Sequence, residues 1–410
     1  MSTARGGDLF PRLPEDSRGR LESLLDTIDD IFPLPARFRA GLGRDVADLS
    51  RSLTDRRSER DDGYLGKPAA LSAYLRYFLP WNVYRLARLL PALPLDLADG
   101  DAVTDLGSGP LTLPIALWLS RPELRAVKLE FRCLDRTGKV LEEGRTLFAA
   151  LTAGTDTPWK IRTIRGSLGT RIEGGKAAVV TAVNVLNELF WDDRTPVAEQ
   201  AERKAGFLSA LARDDGKVLV VEPGIPRSGE FIAALRAAFI DAGRDPLAPC
   251  THASACPMPG GHRGAKWCHF AFDTDQAPAR LHKLSAAAGI PKERATLSFL
   301  LAGPAGSAAT ASGAAQEAAA EGAPAAKRAP RAGVRLPVRV ISDAFPLAEG
   351  GAGRYACAEP GLILVAGRRN AVEALPSGAL VEFAAPGSRP RQDPKSGAAV
   401  LELPEHPPRG

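Results

Sequence analysis

Three of the chain's five cysteines, Cys250, Cys256 and Cys268, fall in one short segment, and a fourth, Cys357, stands far downstream in Gly353-Arg354-Tyr355-Ala356-Cys357. Three local thiols and one distant thiol fit a closed four-ligand metal centre. Such a centre would clamp a carboxy-terminal module onto the main body of the protein. The segment is polar and rich in Pro and Gly, so burial as small hydrophobes is a poor explanation for its thiols. Cys133, in mid-strand, does read as a core residue. His252, His262 and His269 offer imidazoles, and zinc accepts mixed Cys and His ligands. Closely spaced Cys-x-x-Cys knuckles are missing, however, and four thiolates from scattered positions suit an iron–sulfur cluster equally well. Spacing leaves zinc and iron both open.

A second constellation is Val103-Thr104-Asp105-Leu106-Gly107-Ser108-Gly109-Pro110. An acid ending a strand, followed by a Gly-x-Gly turn into a helix, is the cofactor loop of S-adenosylmethionine-dependent methyltransferases. Glycine lets the backbone turn sharply and approach a cofactor with no Cβ in the way. A nicotinamide-binding loop would prefer G-x-G-x-x-G, whereas Thr112 occupies the last of those positions. Leu111 stands where many methyltransferases have another glycine. The next strand ends in Asp135, placed to accept hydrogen bonds from ribose hydroxyls or, alternatively, to cap the following helix. Asn184, Asn187 and Glu188 follow the fourth strand, where such folds build their active sites; a polar helix entry explains Asn187 and Glu188 almost as well. Asn184 is taken with Asp105, Gly107, Gly109 and Asp135 as the cofactor-binding set. The Asn/Asp-Pro-Pro-aromatic signature of amino-group base methyltransferases is absent, as is the Pro-Cys nucleophile of cytosine-C5 enzymes at this strand end. No residue stands out as a catalytic base or nucleophile, so the catalytic residues are unknown.

These residues need a scaffold to hold them. The chain has 410 residues, 45% of them hydrophobic, enough for one large core or two domains. No apolar run approaches a membrane span, and the first residues lack the apolar stretch of a secretory signal. A cytoplasmic protein with reduced thiols is the expectation. The net charge of +5 permits an anionic partner without arguing for one. Residues 1–97 read as helical, with apolar spacing from Leu21 and again from Ala73. The charged patch 55–62 reads as a solvated face or loop, its acids nearly offsetting its arginines. From 98 to 302, short strands (102–106, 129–134, 177–183, 218–222, 267–272, 295–302) alternate with helices, among them 279–288. This pattern predicts an α/β, Rossmann-like fold with a mostly parallel sheet and a Cys-rich insertion at 245–270. Residues 303–333 are mostly Ala, Gly and Pro and read as a disordered linker. Strands at 335–341, 361–366 and 379–383 predict a small β module at 334–385 supplying the fourth Cys, followed by a flexible tail at 386–410.

The combination D-x-G-S-G-P, N-V-L-N-E, C-x5-C-P, W-C-H-F and a late Y-x-C-x-x-x-G resembles the methyltransferase-like family of small-ribosomal-subunit assembly proteins, known from mitochondria and also found in bacteria. The resemblance covers about 60–385. It implies a class I methyltransferase fold, binding of small-subunit ribosomal RNA during maturation, and a 4Fe-4S cluster on Cys250, Cys256, Cys268 and Cys357, with zinc as the alternative. It implies S-adenosylmethionine as a cofactor, with methyl transfer itself in doubt; an active methyltransferase with a structural metal centre is the rival reading. The expected partner is the ribosomal small subunit. The expected setting is the bacterial cytoplasm, or the mitochondrial matrix if the source is eukaryotic, for a monomer with no membrane association. Arg263 and Lys266, near the cysteines, could face phosphates or serve as solvated loop charges.

Overall fold

The computed structural model describes residues 7–54, 64–188, 195–261, 266–306, 335–384 and 390–403. The charged patch at 55–62, the stretch 307–333, His262 and Arg263 lie outside these residues, as does the side chain of Glu188.

The amino-terminal part forms helices α1 (Glu15–Ile31), α2 (Ala36–Arg39), α3 (Leu42–Thr54) and α4 (Pro68–Ala73), then a π-turn (Tyr74–Phe78) that runs into α5 (Leu79–Leu89). On α1 the buried Leu21, Leu24, Leu25 and Ile28 make one helical stripe. That stripe joins a core shared with Leu113, Leu117, Phe270 and Phe299 of the following region. The helices predicted over 1–97 are therefore a wall of the main body, with no separate core.

The main sheet contains β1 (Ala102–Leu106), β2 (Glu130–Asp135), β3 (Lys160–Arg165), β4 (Ala177–Val183), β5 (Ala212–Pro223), β6 (Arg244–Ala248), β7 (Phe270–Asp273) and β8 (Arg294–Pro304). Its order is β3-β2-β1-β4-β5-β8-β6, with β7 on the first half of β8. The pairs from β3 to β5 are parallel; β8 runs antiparallel to both β5 and β6. Helices α6 (Thr112–Ser120), α7 (Gly138–Leu151), α8 (Val197–Leu211), α9 (Pro226–Asp241) and α10 (Ala279–Ala287) complete this body. β1 is buried at every position and α6 along its whole length, as strands and helices at the centre of a layered α/β fold must be.

The strands at 102–106 and 177–183 have the predicted bounds. Two strands of the main sheet escape prediction for physical reasons. β3 is a half-exposed edge strand alternating charge with Ile and Thr, and β6 contains Pro246. Residues 245–248, expected to open the Cys-rich insertion, belong to β6, and Gly303 and Pro304, expected in the linker, end β8.

The carboxy-terminal strands are β9 (Arg335–Val340), β10 (Phe345–Pro346), β11 (Ala352–Ala358), β12 (Gly361–Gly367), β13 (Leu380–Ala384) and β14 (Ala399–Glu402), with the short helix α11 (Arg369–Glu373). Their order is β13-β9-β11-β12-β14, with β10 on β11. Leu336, Val338, Ile363, Val365, Phe383 and Leu401 form their own core. β14 pairs in parallel with β12, so the ordered module runs past 385 into what was expected to be tail. The module docks on the body through Arg339, whose Nη1 donates to Gly7 O at 2.6 Å and whose Nε donates to Pro249 O at 3.1 Å. Arg294 pairs with Asp343 at 2.5 Å. Lys266 stands 3.8 Å over the Tyr355 ring, a further contact between body and module.

Candidate functional site

At the carboxyl ends of β1, β2 and β4 lies a cavity of about 350 Å³, toward the small end of ligand-sized sites. Asp105, Gly107, Gly109, Asp135 and Asn184 all line it. Gly107 has φ +67°, and a Cβ there would sit 2.4 Å from Val185 Cγ2. Gly109 has φ +53° and passes under the Tyr74 hydroxyl. Leu111, in the place of the usual third glycine, takes φ +59° at the start of α6 with its side chain fully buried. Core burial holds this leucine in a conformation that costs about 1–2 kcal/mol for a residue with a Cβ.

Asp105 is 1% exposed; it accepts hydrogen bonds from Ser108 Oγ at 2.7 Å and Thr181 Oγ1 at 2.6 Å. It ties the turn after β1 to β4. Burial pushes its carboxyl up to about 6, against the lowering effect of the two hydroxyls. An acid whose folded-state pKa is raised favours the fold below its unfolded pKa and loses that contribution as pH rises through the folded value. The loss falls between about pH 4 and 6 and amounts to about 3 kcal/mol. Asp105→Asn should therefore gain about that much on wild type between pH 4 and 7 in urea unfolding. A difference that stays constant with pH would refute this origin.

Asp135 accepts N–H bonds from Gly109 at 3.0 Å and from Thr137 at 2.9 Å. It thus pins the glycine turn and the entry to α7. Burial raises its pKa. Asn184 follows β4 with φ +53°; its backbone N–H bonds to Val221 O at 2.8 Å, and its buried Oδ1 has no partner. An acceptor without a donor beside a cavity is a place for a ligand N–H or O–H.

Asn187 does not line the cavity. Its Nδ2 donates to Glu222 Oε2 at 2.5 Å, and its backbone N–H and that of Leu186 also reach the Glu222 carboxylate. Glu222, fully buried at the end of β5, organises the loop after β4. Sequence reasoning treated it only as a strand end; a carboxylate closing the run Val-Leu-Val-Val was the available signal. Tyr74 and Asn82 also line the cavity, so the π-turn and α5 form part of its wall. π-turns often mark functional sites. Among the described residues, the cavity lining contains no His, Cys or Glu.

The second site lies where the loops flanking β6 and β7 meet β11. Cys250, Cys256, Cys268 and Cys357 line one apolar cavity of about 30 Å³ with Arg236 and Arg339. Arg236, on α9, donates to Cys250 Sγ at 3.2 Å, to His252 O at 2.7 Å and to Ser254 O at 2.8 Å. His252 Nε2 lies 3.3 Å from Cys357 Sγ, and its buried Nδ1 has no partner. Burial with the adjacent Arg236 lowers the His252 pKa to about 4, so the ring is neutral. His269 stacks on Trp267 and is not among the cavity residues. Burial and the neighbouring thiols hold Cys250, Cys268 and Cys357 above the usual thiol range. Cys133 is fully buried in β2, as its mid-strand position predicts.

Among the described residues, no group of three or more His, Cys, Asp or Glu is arranged to hold a single metal ion. The donor chemistry nevertheless fits a soft cationic centre. Thiols that raise one another's pKa become thiolates once positive charge sits among them, and two arginines offset the resulting negative charge.

The strand order, the antiparallel β8 beside the edge and the glycine turn after β1 define a class I S-adenosylmethionine-dependent methyltransferase fold. A family model described as mitochondrial small ribosomal subunit Rsm22 matches residues 100–332, and the chain belongs to that family. Among solved structures it is similar to magnesium protoporphyrin IX methyltransferase from Synechocystis PCC 6803 with bound cofactor, at 16% identity, covering 72% of this chain and all of that one, TM-score 0.32. It is also similar to methyltransferases from Thiobacillus denitrificans and Geobacter sulfurreducens, each in complex with S-adenosyl-L-homocysteine. Both are 14% identical with TM-score 0.32, covering 54% and 55% of this chain and 90% and 91% of theirs. No curated protein matches the chain. No helix among the described residues is long and apolar enough to cross a membrane.

Proposed function

We propose that this protein holds S-adenosylmethionine in the cavity at the end of β1, binds small-subunit ribosomal RNA and supports small-subunit assembly or translation. The observation that carries the reading is the family match over 100–332, joined to a cavity lined by all five sequence-derived cofactor residues. Asp135 would take the ribose hydroxyls, and the turn at Gly107 and Gly109 would lie against the cofactor. The four thiols would hold a 4Fe-4S cluster, which supplies a bridge between the body and the β module. This assignment rests on the family resemblance and on the thiol-and-arginine chemistry of the site. The compartment follows the partner: the mitochondrial matrix where the ribosome is mitochondrial, the cytoplasm in a bacterium.

RNA binding should weaken at least about 10-fold between 50 and 200 mM salt, as neutralised phosphates release counterions. A flat salt response of the purified protein with small-subunit RNA would remove the proposal. A second reading, an active methyltransferase, is favoured by the unpartnered Asn184 Oδ1 beside the cavity. Incubation with labelled cofactor and immature small subunits separates the two. Label transferred to one nucleotide selects the enzyme, whereas cofactor binding without transfer selects the assembly factor.

A further inference from the structure

Two cations, Arg85 and Lys292, lie close enough for the charge of one to act on the other, and Arg85 contacts a residue of the cofactor cavity. Arg85, on α5, donates to Thr296 O of β8 at 3.2 Å and to the Oδ1 of Asn82, itself a cavity residue. Lys292, in the turn leading into β8, lies 6.0 Å from the centre of the Tyr77 ring and 5.9 Å from that of Trp81. Both are half-buried. Among the described residues neither has a carboxylate in ion-pair reach: Glu222 acts on Arg85 only at a distance, and its oxygens accept from Leu186 and Asn187. Burial, with the charge of Arg85, lowers the Lys292 pKa to about 8. Two like charges drawn together out of water oppose folding unless an anion completes them.

The site is also well placed. Leu297 and Ser298 of β8 pair with Pro223 and Glu222 at the end of β5, so Lys292 lies at the same end of the sheet as the cavity. Arg85 reaches that cavity through Asn82.

We propose that Arg85 and Lys292 form a subsite for a backbone phosphate of single-stranded RNA, placing the adjoining nucleotide at the Tyr74–Asn82 side of the cofactor cavity. The subsite rests on the RNA-binding reading and specifies where one strand would be held.

The test uses the full-length protein, its Lys292→Met and Lys292→Gln variants and a fluorescein-labelled 12-nucleotide single-stranded RNA, with anisotropy read from 50 to 200 mM KCl. Each variant should bind this RNA about 3- to 10-fold more weakly at the lowest salt. The slope of log affinity against log salt should flatten by about 0.7, the value for one phosphate contact on a single strand. Affinity for S-adenosyl-L-homocysteine should not change, and Tm should rise because an unpaired half-buried charge is gone. Wild-type RNA affinity and slope in both variants would overturn the subsite and leave the RNA-binding reading intact. A wild-type protein whose RNA binding ignores salt would overturn both. Loss of homocysteine-cofactor affinity in the variants would reassign the cations to the cofactor carboxylate, and a lowered Tm with unchanged RNA affinity would make Lys292 a structural residue; either result overturns the proposal.

Discussion

Cys357→Ser, purified without oxygen, is expected to be pale where the wild type is brown and to retain at least about 10-fold less iron and sulfide. The expectation follows from where the thiol sits. Cys357 is in β11, and Cys250, Cys256 and Cys268 belong to loops of the main body, yet all four line one small cavity. Removing it leaves three thiols on the body and takes away the thiol that β11 contributes to the site. The module should loosen without unfolding, because it has its own core and remains attached by Arg339 and the Arg294–Asp343 pair. Limited proteolysis should release a fragment beginning near residue 335 faster from the variant than from wild type. Iron retained at the wild-type level would exclude Cys357 as a ligand, and a colourless wild-type protein containing zinc would replace the cluster with a zinc centre.

Gly107→Ala should remove most cofactor binding. At φ +67° an alanine is strained by about 1–2 kcal/mol, and its Cβ would meet Val185 Cγ2 at 2.4 Å. Either the glycine turn moves away from β4 or Val185 moves into the cavity that both residues line. Displacement worth about 2 kcal/mol corresponds to a roughly 30-fold rise in the Kd for S-adenosyl-L-homocysteine, measurable by calorimetry. Adding Val185→Ala removes the clash but not the strain, so the double variant should recover part of the affinity. Unchanged binding in Gly107→Ala would mean that the cavity is not the cofactor site. No recovery in the double variant would place the whole effect in the backbone strain.

What was legible in the sequence was whatever local pattern encodes. The run Ala102–Leu106 ending in Asp-x-Gly-x-Gly fixed both a central strand and the floor of the cavity, because a fully buried parallel strand is a short apolar run whatever its surroundings. Asn184 could be placed for the same reason, since it directly follows β4. The contributions of Tyr74, Asn82, Arg236 and Arg339 were not legible. Arg236 reads as one more charge on a helix, and only the fold brings it against Cys250. Arg339 reaches Gly7 and Pro249, contacts that no sequence period records. The module's last strand was hidden because Ala399–Glu402 is short and lies beyond Pro-rich residues, and it is held by pairing with β12 more than by its own propensity.

The contact between His252 and Cys357 closes a loop of 105 residues. A ribosome making roughly 5–20 residues per second needs about 5–20 s to cross that interval. For most of it, once Cys268 has been made, a nascent chain presents three of the four thiols, with β11 still unmade. A centre that needed all four thiols could not close before that strand is made, so filling it would report that translation had reached the module. A chain released before Cys357 would have every residue that lines the cavity at the end of β1 and lack the fourth thiol.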